Sequence, residues 1–137
     1  MTTLVDAGPI VALFDADDAH HERCRMAFEL GGGPLVTCEA VIAEACWLLR
    51  GYRGAQRELL LDIADGRYVV EYELGARAER VARLVAKYSD VPMSLADACL
   101  VDLADIHMTG QILTLDSDFQ VYRWGKNRPF ELMLEDY

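Results

Sequence analysis

The stretch Thr3-Leu-Val-Asp6, followed at once by Ala7-Gly-Pro-Ile10, restricts the fold more than any other part of the chain. A short β-branched and apolar run ends on an aspartate, and Gly8 and Pro9 break it. Ile10-Val-Ala-Leu-Phe14 then starts a helix, and Pro9 suits a first helical position, where no backbone N–H is needed. A strand that begins a few residues from the N-terminus and runs straight into a helix usually lies at the centre of a parallel sheet. Its carboxyl end then faces the crevice where ligands bind. Asp6 stands at that end.

The remainder alternates strand and helix. Helical patterns cover residues 19–30, 39–49, 59–64, 76–88 and 94–107. The helix over 76–88 carries Ala78, Val81, Ala82 and Val85 as an apolar pattern. Strand-like runs cover 34–37, 67–72, 111–115 and 130–134. Alternation of this kind predicts an α/β domain with a mostly parallel sheet of five strands flanked by helices. At 137 residues and 53% hydrophobic content, residues 1–137 form one domain with a sizeable core. No apolar run reaches the roughly 18 to 20 residues of a membrane span. No basic-then-apolar leader precedes Thr3. Cys24, Cys38, Cys46 and Cys99 show no CxxC pairing and read as reduced core residues of a cytoplasmic protein.

Four acids carry the chemistry. Asp6 ends strand one, and Asp116 directly follows strand four in Thr114-Leu-Asp-Ser-Asp118-Phe119. Parallel neighbours would bring the two together at the carboxyl edge of the sheet. Glu44 has Ala40, Val41, Trp47 and Leu48 as same-face helical neighbours. A carboxylate inside such an apolar stripe is costly unless paired or metal-bound; the plainer alternative is that it lies at the stripe's edge. Asp97 shares a face with Met93, Leu100 and Val101. Ser94-Leu-Ala-Asp97 also has capping-box spacing, and both readings hold together, because N3 presents a residue to the crevice. Asp118 serves equally as a turn cap or a metal ligand, and Thr114 and Ser94 place hydroxyls near the same spot. Asp15, Asp17 and Asp18 read as caps and a solvated face, with Asp17 or Asp18 as N-cap of the next helix. Asp102 and Asp105 read as solvated, and His20 and His21 as surface residues.

Carboxylates gathered without cations repel and raise one another's pKa. A divalent metal removes that conflict, and a set of oxygen ligands without Cys or His points to Mg²⁺, or Mn²⁺ in its place. Phosphodiester hydrolysis is the chemistry such a cluster serves. The net charge of −10 argues against a general nucleic-acid coat protein but leaves a metal-bearing nuclease open. Cations cluster in Arg50-Gly-Tyr-Arg53-Gly-Ala-Gln-Arg57 and in Tyr122-Arg-Trp-Gly-Lys-Asn-Arg128. In the second cluster Arg123, Lys126 and Arg128 alternate with aromatic rings. They would suit an RNA strand on the rim of the acid site.

Four segments carry a family resemblance: Leu4-Val-Asp6-Ala-Gly-Pro-Ile-Val-Ala-Leu-Phe14, Val41-Ile-Ala-Glu44-Ala-Cys-Trp-Leu-Leu49, Met93-Ser-Leu-Ala-Asp97-Ala-Cys-Leu-Val101 and Ile112-Leu-Thr-Leu-Asp116-Ser-Asp-Phe119. In order and spacing they resemble the four motifs of PIN-domain ribonucleases, in particular the VapC-type toxins of prokaryotic toxin–antitoxin pairs. The resemblance implies a PIN-like three-layer domain with sheet order 3-2-1-4-5. It also implies Mg²⁺-dependent endonuclease activity on tRNA, rRNA or mRNA, a homodimer, and neutralisation by a cognate antitoxin. By motif, Asp6 and Asp97 are the principal metal ligands, Glu44 completes the cluster and Asp116 is its fourth acid. Position 7 is Ala where many relatives carry Ser or Thr, which removes one hydroxyl from the neighbourhood of the metal.

Two rivals share the scaffold. A phospho-accepting receiver module has an acid pair after strand one and a Lys ending a late strand. Here strand one ends on a single Asp, and the only lysines, Lys87 and Lys126, lie outside apolar strands. A PIN scaffold that only binds a partner without nuclease activity is the second; the four intact acids count against it.

Overall fold

A computed structural model of the chain describes residues 1–134. Strand β1 (Thr3–Val5) lies at the middle of a five-stranded sheet, between β2 (Leu35–Thr37) and β4 (Gln111–Leu113). Strand β3 (Val69–Val70) pairs with β2 at one edge, and β7 (Glu131–Leu132) pairs with β4 at the other. All four pairings are parallel, with Leu4 opposite both Val36 and Ile112. The order β3-β2-β1-β4-β7 is the expected 3-2-1-4-5, the segment over 130–134 supplying the fifth strand. A receiver module would instead have its first strand beside the second and third, in order 2-1-3-4-5.

Helices α1 (Ala7–Phe14), α2 (His21–Leu30), α3 (Glu39–Leu48), α4 (Ala55–Ala64), α5 (Leu74–Lys87) and α6 (Leu95–His107) flank the sheet. Leu4, Val5, Ile112 and Leu113 are buried, as strands covered on both faces require. Helix α6 is buried without a break from Ala96 to Ala104, the pattern of a helix enclosed by its neighbours rather than laid on a surface. Thr37 donates its hydroxyl to the carbonyl of Val5 at 2.7 Å and so fixes the carboxyl end of β1 from the side. No helix among the described residues is long and apolar enough to cross a membrane. Cys24, Cys38 and Cys99 are buried, and all four cysteines are free thiols.

The structure corrects several readings. A two-stranded antiparallel hairpin, β5 (Arg123–Trp124) with β6 (Arg128–Pro129), occupies the second cationic segment. Helix α2 starts at His21 rather than Ala19, with the Asp18 carboxylate accepting from the His20 N–H at 2.7 Å just before it. His21 is half-buried and its Nδ1 lies 2.7 Å from the Ala12 carbonyl, tying α2 to α1. On α5 the buried face is Val81 and Leu84, while Ala78, Ala82 and Val85 are exposed.

Asp102 is not solvated but fully buried. It faces α5, where Arg77 donates twice to it, at 2.7 and 2.6 Å, and Tyr72 donates its hydroxyl at 2.7 Å. Burial alone would raise its pKa, but these hydrogen bonds and the charges of Arg77 and Arg80 outweigh it and hold the carboxyl below the ordinary range. Asp105 is half-buried and paired with Arg80 at 2.7 Å.

Candidate active site

Asp6 is the N-cap of α1. Its Oδ1 accepts from the Ala7 N–H at 2.8 Å, and its own N–H donates to the Leu113 carbonyl of β4 at 2.9 Å. The other oxygen, Oδ2, accepts from the Thr114 hydroxyl at 2.7 Å. That hydroxyl also accepts from the Asp116 N–H at 3.0 Å. One threonine therefore links the acid that ends β1 to the acid that follows β4. Asp116 in turn caps the short 3-10 turn Ser117–Gln120, its Oδ1 accepting from the Asp118 N–H at 2.9 Å. The capping role weighed for Asp118 thus belongs to Asp116.

Asp97 arrives from the opposite direction, at the third position of α6. The Ser94 hydroxyl accepts from the Asp97 N–H at 3.1 Å, as the capping spacing anticipates. The carboxylate is buried, and its Oδ2 accepts from the hydroxyl of Tyr122 at 2.9 Å. Removing the cap by Ser94→Ala is expected to destabilise the protein by about 1 kcal/mol in urea unfolding. A loss that cannot be resolved would show that the first turn of α6 is held by its burial instead.

Glu44 differs from the expectation. Its side chain is exposed on α3, as are Trp47 and Leu48 beside it. The buried face of α3 is Val41, Ile42 and Ala45, so the apolar run holding Glu44 continues onto the surface. Its carboxylate still belongs to the acid group electrostatically. Partial desolvation first, then the charges of Asp97 and Asp116, raise its pKa. Burial likewise raises Asp97, with Asp116 adding to it, against the lowering effect of the Tyr122 hydrogen bond. Asp6 is pushed up to about 6, chiefly by burial, with smaller contributions from the charges of Asp97 and Glu44. The four acids thus share one field at the carboxyl edge of the sheet.

Oxygen donors with raised pKa values suit a hard divalent cation, which would cancel their repulsion. Among the described residues no group of three His, Cys, Asp or Glu side chains stands ready to clasp one ion.

Of the three cations expected on the rim, Arg123 is engaged by the backbone of the turn that Asp116 caps, and Lys126 and Arg128 lie on the hairpin beyond it. Arg123 donates through Nη1 to the carbonyls of Gln120, Val121 and Tyr122, at 2.8, 3.2 and 2.9 Å, and so closes the 3-10 turn. The Gly125 N–H donates to Asp105 Oδ1 at 2.6 Å. Asp105 is eight residues beyond Asp97 on α6, roughly 12 Å along the axis. Trp124 packs over Gly110, where any Cβ would collide with the indole. Gly110 enters β4 from the end opposite Asp116. Lys126 and Arg128, with Arg128 stacked on Trp124, therefore sit toward the far end of the sheet. Tyr122, read as a stacking residue, is fully buried. Sequence reasoning missed its contact with Asp97. The available signal was the close run of rings Phe119, Tyr122 and Trp124 after the Asp116 motif, too many for a solvated loop.

A parallel sheet in this order, with acids delivered from β1, α3, α6 and the end of β4, defines a class: the chain belongs to the PIN domain family, whose profile matches residues 3–125. Among its relatives, Ribonuclease VapC26 of Mycobacterium tuberculosis is 34% identical over 115 residues, covering 82% of this chain and 85% of that protein. The crystal structure of Mycobacterium tuberculosis VapC20, described as a sarcin-ricin loop cleaving toxin, superimposes with a TM-score of 0.79 at 21% identity, over 93% of this chain and 99% of that one. The first likeness relates the chain to VapC-type ribonucleases; the second shows the shared fold.

Proposed function

We propose that this protein is a Mg²⁺- or Mn²⁺-dependent endoribonuclease and the toxin of a type II toxin–antitoxin pair. The observation that carries the reading is the convergence of Asp6 and Asp97, both buried, within the field of Glu44 and Asp116. The relationship to VapC26, a ribonuclease, supports RNA as the substrate class.

A bound divalent cation would supply the Lewis acid for phosphodiester hydrolysis. Asp6, Asp97 and Asp116 are the residues proposed to hold it. The chain's own work is positioning. Thr114 and the Ala7 N–H hold both oxygens of Asp6, and Thr114 sets the backbone of Asp116. Ser94 fixes the helix end that presents Asp97. Glu44, exposed beside them, has the freedom to reach a water or a substrate oxygen at the mouth of the site. Asp118, exposed enough to reach solvent on the adjoining turn, is an auxiliary acid. Lys126 and Arg128 are proposed to touch the backbone of a structured RNA at a distance from the cut.

The protein is further proposed to act in the cytoplasm as a homodimer, restrained by a small cognate antitoxin. The test is hydrolysis of a sarcin-ricin loop RNA, the target in the description of VapC20, alongside tRNA and mRNA, with EDTA, Mg²⁺ or Mn²⁺. Cleavage only with metal is expected, and cells expressing the protein alone are expected to stop growing unless the adjacent gene product is supplied. Absence of metal-dependent cleavage across these RNAs would sink the nuclease reading. Unaffected growth beside robust cleavage in vitro would sink only the toxin role.

A further inference from the structure

We infer that Tyr122 is a positioning residue for Asp97, and that its hydroxyl sets how tightly the acid group binds a divalent cation. The inference rests on the metal-dependent nuclease reading and deepens it.

Oδ2 of Asp97 accepts from the Tyr122 hydroxyl at 2.9 Å, and the N–H and hydroxyl of Ser94 add smaller hydrogen-bonding contributions to the same carboxylate. In Asp6 the Ala7 N–H and the Thr114 hydroxyl engage one oxygen each. The Tyr122 hydroxyl therefore makes the strongest of the hydrogen bonds that set the rotation of the Asp97 carboxylate.

The hydroxyl is itself held firmly. The Tyr122 ring is fully buried and meets Tyr88 and Phe119 edge-on, each with ring centroids 5.0 Å apart. Phe119 meets Phe130 in the same way at 5.5 Å. The Tyr88 hydroxyl accepts from the Arg123 N–H at 3.0 Å, which anchors the chain just beyond Tyr122. Packing alone does not call for a tyrosine here. A phenylalanine would fill the same space without the cost of burying a hydroxyl, a cost met only when a partner is present. The partner is one of the two buried acids of the site rather than a backbone carbonyl. Groups that orient metal-binding side chains in this way typically change affinity or activity by about 10- to 100-fold when removed.

The experiment titrates Mn²⁺ into metal-free wild type and Tyr122→Phe by calorimetry, without RNA, and follows RNA cleavage against Mn²⁺ concentration. Wild type is expected to bind, and Tyr122→Phe to bind at least about tenfold more weakly. Its cleavage is expected to recover near the wild-type plateau once Mn²⁺ saturates. Phe119→Leu loosens the same packing but keeps the hydroxyl. It is expected to lower the melting temperature in EDTA without changing the Mn²⁺ affinity. Equal affinity in wild type and Tyr122→Phe overturns the inference and leaves the nuclease reading standing. A loss in Phe119→Leu as large as that in Tyr122→Phe also overturns it, because packing would then be the cause. Failure of wild type to bind Mn²⁺ overturns the nuclease reading, and this inference falls with it.

Discussion

Asp6→Asn and Asp97→Asn are each expected to slow RNA cleavage by roughly a thousandfold or more, about 4 kcal/mol of transition-state stabilisation. Both side chains are buried where β1 and α6 meet, and both carry protein hydrogen bonds that fix their direction. Asparagine keeps their shape and removes the charge that a divalent cation and its phosphodiester substrate require. Neither replacement should unfold the protein, since the Ala7 N–H and the Tyr122 hydroxyl can still donate to an amide oxygen. Glu44→Gln and Asp116→Asn are expected to fall between these variants and wild type, because neither side chain is buried. Glu79→Gln, an exposed acid on α5 outside the site, is the control and should cleave normally. The comparison is made at saturating Mg²⁺, with melting curves recorded for every variant. Wild-type cleavage by a folded Asp6→Asn or Asp97→Asn protein would remove these acids from the chemistry.

The fold was legible wherever local pattern and global position agree. Thr3-Leu-Val-Asp6 running into Ala7-Gly-Pro reads as a central strand feeding a helix, and it is one. Ser94-Leu-Ala-Asp97 reads as a capped helix start that also presents an acid, and it does both. The misses share a cause. Helical spacing says which residues share a face, but not which face meets the core. Glu44 has buried Val41 on one side but exposed Trp47 and Leu48 on the other, so the stripe crosses from core to surface and misled. Asp102 has a solvated pattern, yet it points at Arg77, which is 25 positions away in sequence and brought close only by the packing of α5 on α6.

The same limit applies to the segment after Asp116. Basic and aromatic residues in alternation suggest a nucleic-acid strand on their surface. Here the rings turn inward, and the cations are spread along a hairpin that leads away from the acids. No local rule separates the two outcomes, because the decision depends on whether Phe119 and Tyr122 find room beneath α6. Tyr122 became visible as a partner of Asp97 only once that room had been filled.

Stability of the metal-free protein is expected to fall as pH rises from about 4 to about 6.5. Asp6 is the source, because its pKa moves from the ordinary 3.8 to about 6 in the folded state, chiefly through burial. Between those values the folded protein holds a proton that the unfolded chain has released. Raising the pH through the window therefore favours unfolding. The full penalty, roughly 3 kcal/mol, is present at neutral pH. Asp97 shifts in the same direction and steepens the slope. Glu44 is exposed, so its charge adds little by this route. Asp102 acts with the opposite sign. Its paired carboxylate contributes stability that is complete above its ordinary pKa and is lost only at lower pH, outside this window. Urea unfolding in EDTA at intervals from pH 4 to pH 7.5 measures the slope. Asp6→Asn should flatten much of it and be more stable than wild type at pH 7 by about 2 kcal/mol, as sites kept for function often allow. Mg²⁺ at a hundredfold excess over Kd should return about 2.7 kcal/mol to wild type at pH 7 and far less to the variant. If metal-free wild type is as stable at pH 7 as at pH 4.5, and Mg²⁺ adds nothing, the buried acid of β1 is neither strained nor a cation ligand.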